Sequence, residues 1–321
     1  MFTVYQYRPV DESEWDHFVT RSNNGTIFHL RSFLNYHPQG RFNDHSLIIK
    51  KKGKLFSIFP AAVKEINSKP YLISHPGATV GSFVIPENLS IVESMELVKC
   101  LVAYTEGKGF SGIRITLPPN LYQRRLSNYM DFAFFKYDFQ YLKRDITSIL
   151  FLESTLKATV NKFRSSHKRA VNKAIDSGVH VEQSNDLSSF YSILEKNLKI
   201  RHGVSPTHSL IELEHIQKIF PNRFNLFAAF LDGKMIAGVV NFIVNDHAIL
   251  AFYISHDEAF SKYRAVNLLF YTIFDWAIDN NYNIYDFGTF TVNEEPNMGL
   301  GRFKENFGAS GIFRDTIELC L

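Results

Sequence analysis

Cysteine is scarce in this chain. Only Cys100 and Cys320 occur in 321 residues, with no paired spacing. That argues against a disulfide framework and against a zinc site, and it fits a reducing cytoplasm. A dominant charge is missing too. Thirty-five Lys and Arg against 32 Asp and Glu leave +3, too little by itself to imply nucleic acid. No apolar run approaches the ~18 residues of a membrane-spanning helix. The opening MFTVYQYRPVDESEW lacks a basic stretch followed by an apolar one, so no secretory leader is expected. No Pro/Gly/Ser linker or low-complexity tract divides the chain. What is present is globular. The composition is 45% hydrophobic and 21% charged, long enough for two cores of about 150 residues each. Thirty Phe and fifteen Tyr are many. Most must be core, and a surplus can line a cleft.

A weak internal repeat supplies the division that a linker would have marked. Leu47 to Val63 reads as strand, Gly53-Lys54 turn, strand. Leu226 to Val244 repeats the pattern around Gly233-Lys234. An amphipathic helix that follows a strand precedes each hairpin: Glu12 to Arg21 after Phe2–Tyr7, and Leu187 to Arg201 after Val179–Glu182. A helix, a turn and a strand follow each: Ser90 to Glu106 then Ile113–Ile115, and Val266 to Asp279 then Ile284–Phe287. Strand, helix, antiparallel hairpin, helix, strand thus occurs twice. The expectation is an α/β fold with a mixed sheet in each of two domains, 1–150 and 151–321.

The second copy has an ending of its own. A short apolar strand stops at Tyr285-Asp286-Phe287-Gly288. After a polar loop comes Gly301-Arg302-Phe303-Lys304-Glu305-Asn306-Phe307-Gly308. A strand end is where side chains leave a sheet and meet a ligand. A lysine between phenylalanines is expected half desolvated, where its charge acts strongly on a reacting group. The same residues also fit a plain strand, loop and capped helix with Lys304 in solvent. The first half is read as lacking a counterpart of this Phe-Lys ending.

Four segments together resemble the FemAB-like branch of the GNAT superfamily. They are VNKFRSSHKRAVNKAIDSGVHVE, YRAVNLLFYTIFDWAIDNN, YDFGTF and GLGRFKENFGA. The resemblance implies two tandem GNAT domains, with the active cleft in or beside the second. It implies transfer of acyl or aminoacyl groups onto amines. SNNGTIFHLRSFLNYHPQGRFNDHSLIIKKKGKLFSIFPAAV and SHPGATVGSFV make the chain similar to short bacterial amino-sugar N-acyltransferases. These use acyl-CoA on nucleotide-linked 3-amino-3,6-dideoxy sugars for surface glycans. The alternative within the branch is an aminoacyl-tRNA-dependent transferase acting on a peptidoglycan precursor. Two departures stand out. There is no room for a long helical arm. The usual Arg/Gln-x-x-Gly-x-Gly/Ala loop is replaced by Ser261-Lys262-Tyr263-Arg264-Ala265-Val266-Asn267.

These readings give the candidate residues. Arg264 and Asn267 follow a strand and open a helix, whose N-terminus suits a diphosphate. In the resembled fold the strand carrying Tyr253, Ser255 and His256 splays from its neighbour and admits the thioester. Tyr253 is expected to donate to substrate or leaving thiolate, and His256 to accept a proton. Asp286 is expected to orient the amine or take its proton, unless it merely receives N–H bonds in the next turn. Lys304 is expected to stabilise the oxyanion, with Phe303 excluding water beside it. Lys162, Arg164, His167, Lys168 and Arg169 form a basic run. Arg164, His167 and Lys168 are expected on one helical face for the sugar-nucleotide diphosphate or a tRNA end. Asn197, Arg201 and His202 are expected to line the same cleft. His75, in a Gly-rich loop, and His29 are further substrate candidates.

Overall fold

The computed structural model describes residues 2–321, with residues 201 and 202 described in the main chain only. Two compact units emerge: Met1–Asp145 with Phe313–Leu321, and Ile146–Ile312. The first contains β1 (Phe2–Gln6), α1 (Glu12–Arg21), α2 (Arg31–Leu34), β2 (Asn43–Asp44), β3 (Leu47–Lys51), β4 (Lys54–Phe59), β5 (Ala61–Ile66), β6 (Lys69–Ser74), α3 (Ile91–Gly107), β7 (Gly112–Thr116) and α4 (Tyr129–Lys136). Strand β8 (Gln140–Phe151) runs from the first unit into the second. There follow α5 (Leu156–Asn161), α6 (Ser165–Asp176), β9 (His180–Ser184), α7 (Leu187–His202), α8 (Leu210–Ile219), β10 (Phe224–Leu231), β11 (Lys234–Ile243), β12 (Ala248–His256), α9 (Ala265–Asp279), β13 (Ile284–Thr289), β14 (Thr291–Val292), β15 (Glu295–Pro296), α10 (Met298–Glu305) and β16 (Ser310–Cys320).

Within the first unit, β1-β3-β4 form one sheet and β2-β5-β6-β7-β16 run side by side. Within the second, the order is β8-β13-β12-β11-β10-β9. A cut near residue 150 therefore needs one amendment. The C-terminal strand pairs antiparallel with β7, from Thr316↔Thr116 to Cys320↔Gly112, and belongs to the first unit. In the second unit β8 supplies the antiparallel neighbour of β13 instead.

The repeat extends to register. Both hairpins turn on two residues with positive φ, Lys52-Gly53 and Asp232-Gly233. These match the right-handed strand twist, as a type I′ loop does. The loop lies one residue earlier than the sequence suggested, and Lys54 and Lys234 open the return strands. Both hairpins slip register two residues before the turn, between Ile49 and Lys50 and between Ala229 and Phe230. The first return arm breaks at Pro60 into β4, paired with β3, and β5, paired with β6. Proline has no N–H to continue the ladder.

Each unit has its own core. In the first, Leu72, Leu97, Val98, Leu101, Ile113 and Phe134 pack α3 and α4 on the sheet. In the second, Leu269, Phe270, Ile273 and Phe274 of α9 bury against Val239, Ile249 and Tyr285. Helix α3 starts from a reciprocal cap. Glu93 N–H donates to Ser90 Oγ, and Glu93 Oε2 accepts from the Ser90 N–H. No helix among the described residues is long and apolar enough to cross a membrane.

Candidate active site

In both units a parallel strand pair holds together for only three residues. In the first it is Tyr71↔Gly112, Leu72↔Ile113 and Ile73↔Arg114. In the second it is Ala248↔Ile284, Ile249↔Tyr285 and Leu250↔Asp286. Beyond this point the two copies diverge.

In the second unit β12 continues for six residues, to His256, without β13 beside it. The cause is local. Val240 pairs with Tyr253 and Asn241 with Ala251, so Phe252 is bulged out two residues past the last parallel partner. A bulge sharpens strand twist and re-aims the residues after it. On the opposite arm Gly288 has φ +76, and the β13–β8 register is irregular between Asp286 and Thr289. Both arms therefore bend right after the shared pairs, and among the described residues no ladder joins them beyond Leu250↔Asp286.

Asp286 and Lys304 line the β13 arm from behind. Asp286 is fully buried and accepts from Thr147 Oγ1 and from the Gly288 N–H at 2.7 Å. This is the turn-capping arrangement, an Asp carboxylate taking the N–H two residues on. Lys304 is 1% exposed. Its Nζ donates to the carbonyls of Gly288 (2.7 Å) and Thr289 (2.9 Å). The lysine is thus wholly desolvated, beyond the half-burial expected from its sequence neighbours. Both of these bonds go to the main chain of the β13 arm. Thr147, which the sequence did not single out, completes the group from β8.

The β12 arm carries a second group. The Tyr253 hydroxyl lies 3.0 Å from His208 Nδ1 and accepts the His208 N–H at 3.3 Å. Burial pushes the Tyr253 phenol up, so it keeps its proton near neutral pH. Ser255 is buried, and its Oγ accepts from Asn197 Nδ2 at 3.0 Å. His256 Nε2 stands 3.7 Å from Glu258 Oε2. His208 was missed by sequence reasoning. Its only signal was its place just before the Ser209–Glu212 cap that starts α8.

Helix α9 opens beside this strand. Arg264 takes φ +61 as its N-cap, a left-handed conformation unusual for a side-chain-bearing residue, and its side chain is exposed. Asn267, in the first turn, is buried, and its Nδ2 has no hydrogen-bond partner. A buried amide donor with no acceptor, at the positive end of a helix and beside an exposed guanidinium, fits an anionic group such as a diphosphate.

The basic run divides. Helix is interrupted between α5 and α6, so Arg164 caps α6 from outside it, and the i, i+3 spacing does not join it to His167. Lys162 pairs with Glu153 and donates to the Phe151 carbonyl. His167 turns inward, 5.3 Å from the Phe303 ring and 4.5 Å from Phe307, and its Nε2 has no hydrogen-bond partner. Burial holds His167 below its usual value, the Phe303 main chain opposes this in part, and the Arg264 charge adds to the lowering. Arg164 and Arg169 are exposed and Lys168 is half-buried. The side chains of Arg201 and His202 lie outside the described residues.

His75 and His29 lie in the first unit's interior. His75 is buried, with Nε2 3.7 Å from Asp44 Oδ2 and Nδ1 accepting the Gly77 N–H. His29 Nδ1 accepts the Thr26 N–H, and Nε2 lies 3.3 Å from the Gly81 carbonyl. Burial lowers both imidazoles to about 4. Neither ring presents an open edge to a ligand.

The first half does contain a Phe-Lys ending, contrary to the sequence reading. Helix α4 follows β7 as α10 follows β13, and it ends in Phe135-Lys136, with Phe139 three residues on as Phe307 is. Phe139 and Phe307 are both buried, but Lys136 is exposed where Lys304 is buried.

Comparisons agree with this geometry. Residues 161–305 match the family described as "Acetyltransferase (GNAT) domain". No curated protein matches the sequence significantly. Among solved structures the chain is similar to FemX, at TM-score 0.75 and 14% identity over 99% of this chain and 97% of that one. It is similar to L-PGS from Bacillus licheniformis, at 0.61 and 12% over 97% and 91%. It is also similar to a tandem GNAT protein from the clavulanic acid biosynthesis pathway, at 0.55 and 8% over 100% and 98%. At these identities the likeness is one of fold. Residues 161–305 form a GNAT domain, and the chain is an acyltransferase.

Proposed function

We propose that the second unit binds acyl-CoA with its thioester in the gap between β12 and β13. It would pass the acyl group to the primary amine of a nucleotide-linked amino sugar. The observation that carries the reading is the opened strand pair ending beside the α9 N-terminus. Arg264, the first-turn N–H groups of α9 and the orphaned Asn267 amide would hold the diphosphate of CoA. The sugar-nucleotide acceptor rests on the resemblance carried by residues 22–63 and 74–84.

The amine attacks the thioester carbonyl directly. The C–N bond forms, the C–S bond breaks, and sulfur leaves as the thiol. Holding the two substrates in line would supply at best about 7–11 kcal/mol of barrier reduction. Tyr253 would give its proton to the departing sulfur, His256 or water would take the proton that the attacking nitrogen loses, and His208 beside Tyr253 would return a proton to the phenol. Asp286 and Lys304 would act as positioning residues. They fix the Gly288–Thr289 main chain so that the β13 arm stays bent away from β12. We favour this role over direct oxyanion contact because the Lys304 ammonium is buried and already donates to two carbonyls.

The test is release of free thiol when purified protein meets a panel of acyl-CoAs and dTDP- or UDP-amino sugars. No release across the panel would remove the reading. A second reading has support from the exposed Arg164 and Arg169 on the basic segment: an aminoacyl-tRNA donor with a peptidoglycan-precursor acceptor. It requires tRNA binding that weakens steeply with salt. Failure to bind aminoacyl-tRNA at low salt excludes it.

A further inference from the structure

Helix α4 is apolar nearly all round: YMDFAFFK. Ala133 and Phe134 are buried in the first unit's core, with Met130 packed against it. The opposite side is open. Phe132 is 58% exposed, and Tyr129 and Phe135 are 42% exposed each. The exposed surface continues onto the neighbouring strands. Phe135 meets Tyr141 edge-on at 4.9 Å. The Arg144 guanidinium lies 4.1 Å from the Tyr141 ring and 3.7 Å from the Phe313 ring, held by two bonds to Asp315. Leu126 and Leu142 are exposed beside them in sequence. In the second unit the counterpart of Phe135 is Phe303, which His167 of α6 covers at 5.3 Å. Among the described residues, Phe135 has no ring contact with a helix of that kind.

Charge distinguishes the possible occupants. With the acids that pair with them, the face carries five cations (Arg124, Arg125, Lys136, Lys143, Arg144) against four carboxylates, Asp131, Asp138, Asp145 and Asp315. Lys143 and Arg144 are paired with Asp145 and Asp315, and Arg124, Arg125 and Lys136 are exposed. Asp131 lines a small pocket with Leu117, Phe134 and Ile317. Amphipathic rings and leucines among exposed cations match the headgroup boundary of an anionic bilayer, where rings enter the interface and cations meet lipid phosphates. We propose that this face, centred on Tyr129, Phe132 and Phe135 and flanked by Arg125 and Lys136, docks the first unit on an anionic membrane surface.

The test is cosedimentation of the full chain with vesicles of phosphatidylcholine containing about 30% phosphatidylglycerol, beside vesicles of phosphatidylcholine alone. The chain is expected to bind the anionic vesicles at low salt and to leave them as salt rises. A Tyr129→Ser, Phe132→Ser double variant, with an unchanged thermal melt, should bind at least about tenfold more weakly. An Arg125→Glu, Lys136→Glu variant should lose the preference for anionic lipid. The proposal is overturned by absence of binding to anionic vesicles at low salt, or by binding that survives both double variants. It is equally overturned by a dimer that the serine variant dissociates, since a second copy would then cover the face, or by a protein partner captured through the same residues.

Discussion

The two units start from one plan and treat the same two main-chain groups in opposite ways. By strand register, Thr116 in the first unit stands where Gly288 stands in the second, and Ser74 stands where Ala251 does. In the first unit the chain closes on itself. Thr116 N–H donates to Ser74 Oγ at 3.0 Å, and the Thr116 carbonyl accepts the Gly81 N–H at 2.8 Å. His29 lies 3.3 Å from the Gly81 carbonyl, so the loop after β6 is pinned across the strand ends. In the second unit Gly288 N–H goes to Asp286 and the Gly288 carbonyl to Lys304. Side chains of the same unit do what the loop does in the first copy, and no loop is pinned across these strand ends by the Gly288 main chain. The same register position as Asp286 holds Arg114, tied to Glu318. Under the proposed function, the tandem fold would keep one copy as scaffold and one as cleft by changing what satisfies the N–H and carbonyl of one residue.

The two copies differ most sharply at the two lysines, Lys304 buried and Lys136 exposed. Lys304→Met removes the donor to two part-buried carbonyls. It should cost about 2–4 kcal/mol in urea unfolding and, by displacing the β13 arm, lower turnover about 100-fold. Lys136→Met, at the equivalent place, should change neither stability by more than about 0.5 kcal/mol nor turnover.

The first unit's closure should show in pH dependence. His29 and His75 titrate near 4 when folded and near 6.5 when unfolded. The unfolded chain then binds protons that the folded chain refuses. Their contribution is complete above about pH 6.5 and is lost as pH falls from there toward 4, on the order of 3 kcal/mol for each ring. Urea melts from pH 7.5 to 4.5 should follow that slope, and His29→Gln should flatten it.

Asp286→Asn keeps an oxygen for the Gly288 N–H. Turnover should fall about tenfold with the pH–rate profile unchanged in shape, whereas loss of a limb of the profile would make Asp286 the base. The smallest effect belongs to Arg264→Gly. Relief of the left-handed backbone should raise stability by about 0.5–1 kcal/mol, while the KM for acyl-CoA rises about tenfold.

The order of elements was legible because turns, caps and apolar periods are local. The Lys52-Gly53 and Asp232-Gly233 loops, the Ser90 cap and the α9 stripe each announce themselves within a few residues. The strand exchange was not legible. Nothing near Ser310–Cys320 shows that its partner is β7, some 200 residues earlier. The first Phe-Lys ending was hidden inside FAFFKYDF, without the glycines that frame Phe303-Lys304. Sequence likeness even misleads here. Ile-Ser-His recurs at 73–75 and 254–256, yet register aligns Ser74 with Ala251 and not with Ser255. Of the candidate site, Tyr253, Asp286, Arg264 and Asn267 were found from strand ends and a helix start. Burial separates Lys304 from Lys136, and burial is set by distant packing that a motif does not carry.

The most direct test is the stoichiometry of CoA binding by the full chain in isothermal titration. One site per chain is expected, weakened by Arg264→Glu and indifferent to Lys136→Met. Two sites, no site, or one site that ignores Arg264→Glu would contradict it.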